Sequence, residues 1–178
     1  MNFKFWNAGS GKSEGMVHVV KNAESSAVIL AGQPAIFNMN GTDDGLAVVL
    51  PTSSTAAKIA SFTAGVVVKD IPVGTLQNVQ VYGLNRHTKI VRATRAASTN
   101  DWASNSSNSF AIGDILVVDS VNNAWIKSGT ASNNGNNVCA VVAETMGNFT
   151  GATSSANGIN PGSATIYYQG IKTFLRFM

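Results

Sequence analysis

The chain has 178 residues and a net charge of +3, from 12 Lys and Arg against 9 Asp and Glu, and only 12% of it is charged. That length suits one domain, and a content of 44% apolar residues supplies a core and excludes a disordered chain. A single Cys excludes an internal disulfide, and no apolar run reaches the roughly 18 residues of a membrane-spanning helix.

The residue types favour strands and turns: 19 Val and 14 Thr, with 19 Asn and 18 Ser, against 7 Leu. Residues 1–15 read as an extended arm, with Phe3, Phe5 and Trp6 ahead of Gly9-Ser10-Gly11. Residues 16–178 read as the β domain. Period-two alternation predicts strands at Met16–Val20, Ala27–Leu30, Ala35–Met39, Leu46–Leu50, Ala57–Phe62, Gly65–Lys69, Val79–Leu84 and Lys89–Thr94. It continues at Ile115–Asp119, Ala124–Lys127, Asn137–Glu144, Ala164–Tyr168 and Lys172–Phe177. A turn at Gly83–Asn85 separates two of these, and Val121-Asn122-Asn123-Ala124 reads as a tight hairpin, because Asn tolerates positive φ. Pro51–Ala57 has room for one short helix. Two polar stretches, Ala96–Ser109 and Gly147–Gly162, read as long surface loops. No exact repeat is visible. Together these predict an all-β fold: a single-domain antiparallel β-sandwich or distorted β-barrel with long polar loops and an extended N-terminal arm.

Chemistry-bearing residues are sparse. Gly11-Lys12-Ser13 matches the tail of a phosphate-binding loop, but the first Gly of that loop falls on Trp6, and the residues that follow read as a strand. His18 and His87 belong to no metal or nucleophile spacing and read as surface or edge histidines. Asp43 and Asp44 fit a turn better than a calcium loop, and Asp114 and Asp119 read as turn caps. Cys139, within an apolar run, reads as a buried small side chain. Arg86, Lys89, Arg92 and Arg95 alternate between strand faces and read as a solvated rim, so no nucleic-acid partner is expected. Catalytic, cofactor-binding and metal residues are therefore expected to be none, and the chain is not expected to be an enzyme.

The aromatic residues are the candidate contacts. Phe3, Phe5 and Trp6 suit either an exchanged or docking arm or an edge strand packed on its own core. Phe174, Leu175 and Phe177 read as a core strand, with Phe174 and Phe177 as alternative subunit contacts. Trp102 in its polar loop reads as an anchor or an interface residue. Trp102 with Asn100 and Asp101, or Trp125 with Asn122 and Asn123, would also suit a glycan- or receptor-binding surface of a fibre or adhesin type.

One long pattern remains. Ala64-Gly65-Val66-Val67-Val68-Lys69-Asp70-Ile71-Pro72-Val73-Gly74 leads into Val79-Gln80-Val81-Tyr82-Gly83. Gly113-Asp114-Ile115-Leu116-Val117-Val118-Asp119, Ala124-Trp125-Ile126 and Ala140-Val141-Val142-Ala143 follow. Over about Ala64–Tyr168 this resembles the capsid cement, or head decoration, proteins of tailed bacteriophages. The resemblance implies a virion protein made in the host cytoplasm, with no catalytic residues and no cofactor. It would bind the major capsid protein on the outer capsid surface and tie neighbouring capsomers together. It also implies a homo-oligomer, with a trimer favoured over a dimer.

Overall fold

The computed structural model describes residues 3–6, 15–38, 45–51, 63–94, 109–119, 122–128, 140–146 and 166–176. Among them there is no α-helix, and the all-β expectation holds. Among the described residues ten strands form one sheet. They are β1 (Phe3–Trp6), β2 (Gly15–Asn22), β3 (Pro34–Phe37), β4 (Ala47–Val49) and β5 (Thr63–Val67). Then come β6 (Leu76–Thr94), β7 (Ile115–Asp119), β8 (Ala124–Lys127), β9 (Ala140–Val142) and β10 (Ile166–Arg176).

The sheet closes on itself twice. Its order is β1-β2-β4-β3-β5-β6-β10-β9-β7-β8, and β6 pairs additionally with β2 and with β8. The first closure makes a ring of β2, β4, β3, β5 and β6. The second makes a ring of β6, β10, β9, β7 and β8. Each ring has its own apolar core. Val20, Ala35, Val48, Ala64, Val67, Val79 and Val81 fill the first, with Ile29, Leu50 and Ile71. Ile90, Phe110, Leu116, Trp125, Ala140, Val142, Ile171 and Leu175 fill the second, and Val66 joins them from β5. Of the two expected forms, sandwich or distorted barrel, the closures make barrels: two small ones that share one strand.

Alternation explains the facing within each ring. On β2, His18, Val20 and Asn22 are buried, while Val17, Val19 and Lys21, which alternate with them, are only partly covered. A bulge in β5 changes the parity. Ala35 pairs with Gly65 but Ile36 with Thr63, so Ala64 is the extra residue. Ala64 and Val67 therefore enter the first core and Val66 the second.

The shared strand β6 is a correction to the sequence reading, which ended one strand at Leu84 and began another at Lys89. The expected turn is instead a continuous 19-residue strand. Gly83 absorbs the irregularity with φ +96°. Side chains then satisfy the backbone where β6 passes from one barrel to the other. Gln80 Nε2 donates to the carbonyls of Tyr82 (3.1 Å) and Leu84 (3.2 Å), and its Oε1 accepts from Asn85 Nδ2 at 3.0 Å. Asn85 Oδ1 accepts from the His87 N–H at 2.9 Å and from Thr88 Oγ1 at 3.1 Å. Thr88 Oγ1 and Thr173 Oγ1 lie 2.6 Å apart, both buried. A buried network of this kind is costly to break, because each stranded group loses about 1–3 kcal/mol. Asn85→Ala is expected to lower stability by about 2–4 kcal/mol in urea unfolding, and Thr88→Ser by less than about 1.5 kcal/mol, since the hydroxyl stays. β10 likewise merges two predicted strands.

The two barrels repeat one another. Each has a hairpin (β3–β4; β7–β8), a third strand on the hairpin's first strand (β5; β9), and a long strand closing the set (β6; β10). In each the hairpin's second strand lies parallel to the strand that opens the ring, at Asn22↔Val48 and at Ile90↔Trp125. An antiparallel bridge precedes each hairpin, Ile29↔Ile71 and Phe110↔Met146. Two bonds at the turns match in pairs. Gly32 N–H donates to the Val67 carbonyl and Gly113 N–H to that of Val142; Val67 N–H donates to Gln33 and Val142 N–H to Asp114.

Candidate functional site

Three turns of one design stand at the ends of these strands: Leu30–Gln33, Pro72–Thr75 and Ala111–Asp114. In each the fourth N–H donates to the first carbonyl, at 3.1, 3.1 and 3.0 Å. The third residue is glycine with φ of +81°, +72° and +94°, as such turns require. The fourth side chain reaches back to the first residue. Gln33 Oε1 accepts from Leu30 N–H, and Asp114 Oδ2 accepts from Ala111 N–H, at 2.7 and 2.8 Å. Pro72 has no N–H, so Thr75 Oγ1 instead donates to its carbonyl at 2.8 Å. The second residue of each turn projects outward. It is Ala31, Val73 and Ile112, and Ile112 is 70% exposed.

Asp114 therefore caps a turn, as its place in the sequence suggests. Asp119 accepts from Asn122 Nδ2 inside the β7–β8 hairpin, where Asn123 takes φ +50°. Desolvation pushes the Asp114 carboxyl up. The Ala111 N–H and the Lys127 ammonium, 2.6 Å away, outweigh it and hold the group below the ordinary carboxylate range. Glu144 is also held low, first by the Lys172 backbone N–H and then by the Lys172 ammonium 2.9 Å away.

Two readings of candidate residues are corrected. His18 is not at the surface: it is 2% exposed, on the inner face of β2, with its ring 5.6 Å from that of Phe37. Trp125 is fully buried in the second barrel, so it is no exposed platform for a glycan with Asn122 and Asn123. Its place between Val118 and Ile90 inside the second ring buries it, whereas the sequence leaves the facing of a four-residue strand open. His87 is exposed. Lys89 is partly covered at the junction of the barrels, where burial lowers its pKa and Asp70 partly restores it.

Burial also lowers the His18 pKa below its ordinary 6.5. The sign follows from linkage. Between the folded and unfolded pKa values the unfolded chain holds the proton and the native one does not. The native state keeps this stability above about pH 6.5 and loses it as the pH falls towards the folded value. Asp114 and Glu144 add a second loss at lower pH, through the carboxylate range. The melting temperature is expected to fall between about pH 7 and 5, and His18→Gln to flatten that slope. An unchanged slope in the variant would remove His18 as its source.

The arm residues Phe3, Phe5 and Trp6 lie on β1, which runs antiparallel to β2 with Phe3 opposite His18. Phe174 is 40% exposed on β10 and meets Tyr82 edge to face at 5.3 Å, while Leu175 beside it is buried. Trp102, Phe177, Cys139, Asp43, Asp44, the possible helix at Pro51–Ala57 beyond Pro51, and the two polar loops apart from Ser109 lie outside the described residues. The sequence reading missed the exposed Ile112 turn; an isoleucine inside Ala-Ile-Gly-Asp was its signal, an apolar residue among turn formers. Among the described residues no three of His, Cys, Asp and Glu come together. The chain matches no protein-family model, no curated protein and no solved structure.

Proposed function

We propose that this chain is a capsid decoration protein, a structural virion component that binds the outer surface of a phage head and ties neighbouring capsomers together. The observation that carries the reading is the kind of surface this fold offers. The sheet closes on itself twice, and two of its turns carry exposed apolar residues at their tips, Val73 and Ile112. Such a surface suits broad apolar and hydrogen-bonded contacts, repeated over many copies, in which modest affinity at each site suffices. The residues that resemble the cement family supply β5 to β9 and part of β10. Its partner is the major capsid protein, its place the outside of the virion, and its state a homo-oligomer, with a trimer favoured.

The test is co-sedimentation of the purified protein with expanded, undecorated heads of its cognate capsid protein. Saturation at a fixed ratio, with fewer heads bursting on heating, is the expected result. Binding should change little between about 0.05 and 0.5 M salt, because few charges take part. Failure to bind heads would overturn the reading, and retention on a glycan array would replace it with the fibre or adhesin one.

A further inference from the structure

The repeat supplies its own comparison between a covered and a bare turn. In the first barrel the turn at Ala31-Gly32 lies under the strand that opens the second barrel. Gly32 carbonyl accepts the Lys89 N–H at 2.9 Å, and a Cβ on Gly32 would lie 2.2 Å from the His87 carbonyl oxygen. The matching turn of the second barrel is Ile112-Gly113. A Cβ on Gly113 would meet nothing within 4 Å among the described residues. Where the covered turn has Ala31, the bare one has Ile112, 70% exposed, with Ile115 beside it at 38%.

We propose that the Ile112-Gly113 turn of one copy is covered by β1 of a second copy, as β6 covers the Gly32 turn within the chain. The occupied turn shows what fits: an extended strand that offers a backbone N–H to the glycine carbonyl. β1 is such a strand. It stands first in the sheet order and, among the described residues, pairs on one edge only, with β2. Open edges are templates for further backbone contact. Its sequence, Phe3-Lys4-Phe5-Trp6, is strongly apolar, in keeping with a bare isoleucine at the receiving turn. The contact joins two different surfaces, so each copy gives one and receives one. Such head-to-tail pairing runs on until a ring closes. The inference rests on the homo-oligomer proposed above: it gives the Ile112 turn to a second copy and leaves the Val73 turn to a capsid, and, since it needs no partner other than this chain, it can fail while head binding holds.

The experiment is light scattering and sedimentation on the purified full chain. The wild type is expected to form a closed oligomer of fixed mass. Ile112→Lys is expected to weaken association more than tenfold at an unchanged melting temperature, since Ile112 makes no part of either core. Disulfide trapping then identifies the occupant, on a Cys139→Ser background. Ile112→Cys copies mixed with copies carrying Lys4→Cys or Phe5→Cys are expected to give mixed covalent dimers on oxidation. A monomeric wild type at about 100 μM, far above the working range of a stable oligomer, would overturn the proposal. So would an Ile112→Lys protein of wild-type mass, or an oligomer in which neither β1 cysteine traps Ile112→Cys.

Discussion

Trp125→Ala is expected to destabilise the protein by about 3–5 kcal/mol, the cost of truncating a large buried aromatic side chain. Trp125 is the largest fully buried side chain among the described residues. It packs in the second core with Ile90, Leu116, Val142 and Leu175, and its backbone pairs with Val118 on one side and Ile90 on the other. No neighbour can fill the void without opening the ring, because both flanking strands are fixed by that pairing. A domain is stable by only about 5–15 kcal/mol, so the loss is a large share of the total. Urea unfolding measures it. Hydrogen exchange locates it: amides of β7, β8 and β9 should lose protection first, and those of β3 and β4 last. A cost under about 1 kcal/mol would mean that Trp125 does not stand inside a closed ring.

Gly32→Ala is expected to cost about 2–5 kcal/mol, against about 1–2 kcal/mol for Gly113→Ala. The two residues hold the same place in the repeated turn and share positive φ, +81° and +94°. Both substitutions therefore carry the left-handed penalty. Only Gly32 adds a collision, with its new Cβ 2.2 Å from the His87 carbonyl and 3.1 Å from the Lys89 nitrogen. Relief requires lifting β6 off the turn, which disturbs the junction of the barrels. The difference between the two urea midpoints isolates that packing cost from the backbone cost. Equal effects would mean that β6 does not press on the Gly32 turn.

What the sequence made legible was local. Ile115–Asp119 and Ala124–Lys127 are strands with the predicted ends, because one Asn-Asn turn and two alternating runs decide them. Leu175 is buried as a core-strand residue, whereas Phe174, read with it as core, is 40% exposed. What stayed hidden depends on distant pairing. Gly83 and Asn85 read as turn formers, and that the strand continues through them depends on pairing with β10 and on the Thr88–Thr173 contact, far along the chain. The repeat escaped because it preserves facing and hydrogen bonds rather than identities. Gly32 matches Gly113 and Val66-Val67 match Val141-Val142, but Ile29 matches Phe110 and Val48 matches Trp125. His18 was misjudged because a lone polar residue among valines marks a face without saying whether that face is inside.

The common strand also decides how the molecule would answer a pull. At about 3.3 Å per residue, β6 extends up to about 60 Å, as one uninterrupted backbone running through both barrels. Tension along it would shear the antiparallel ladders to β2 and β10 all at once rather than unzip them bond by bond. The two barrels could not slide apart like beads on a string, because no linker lies between them. A pulling experiment on such a molecule should record one high rupture event where two barrels joined by a tether would give two.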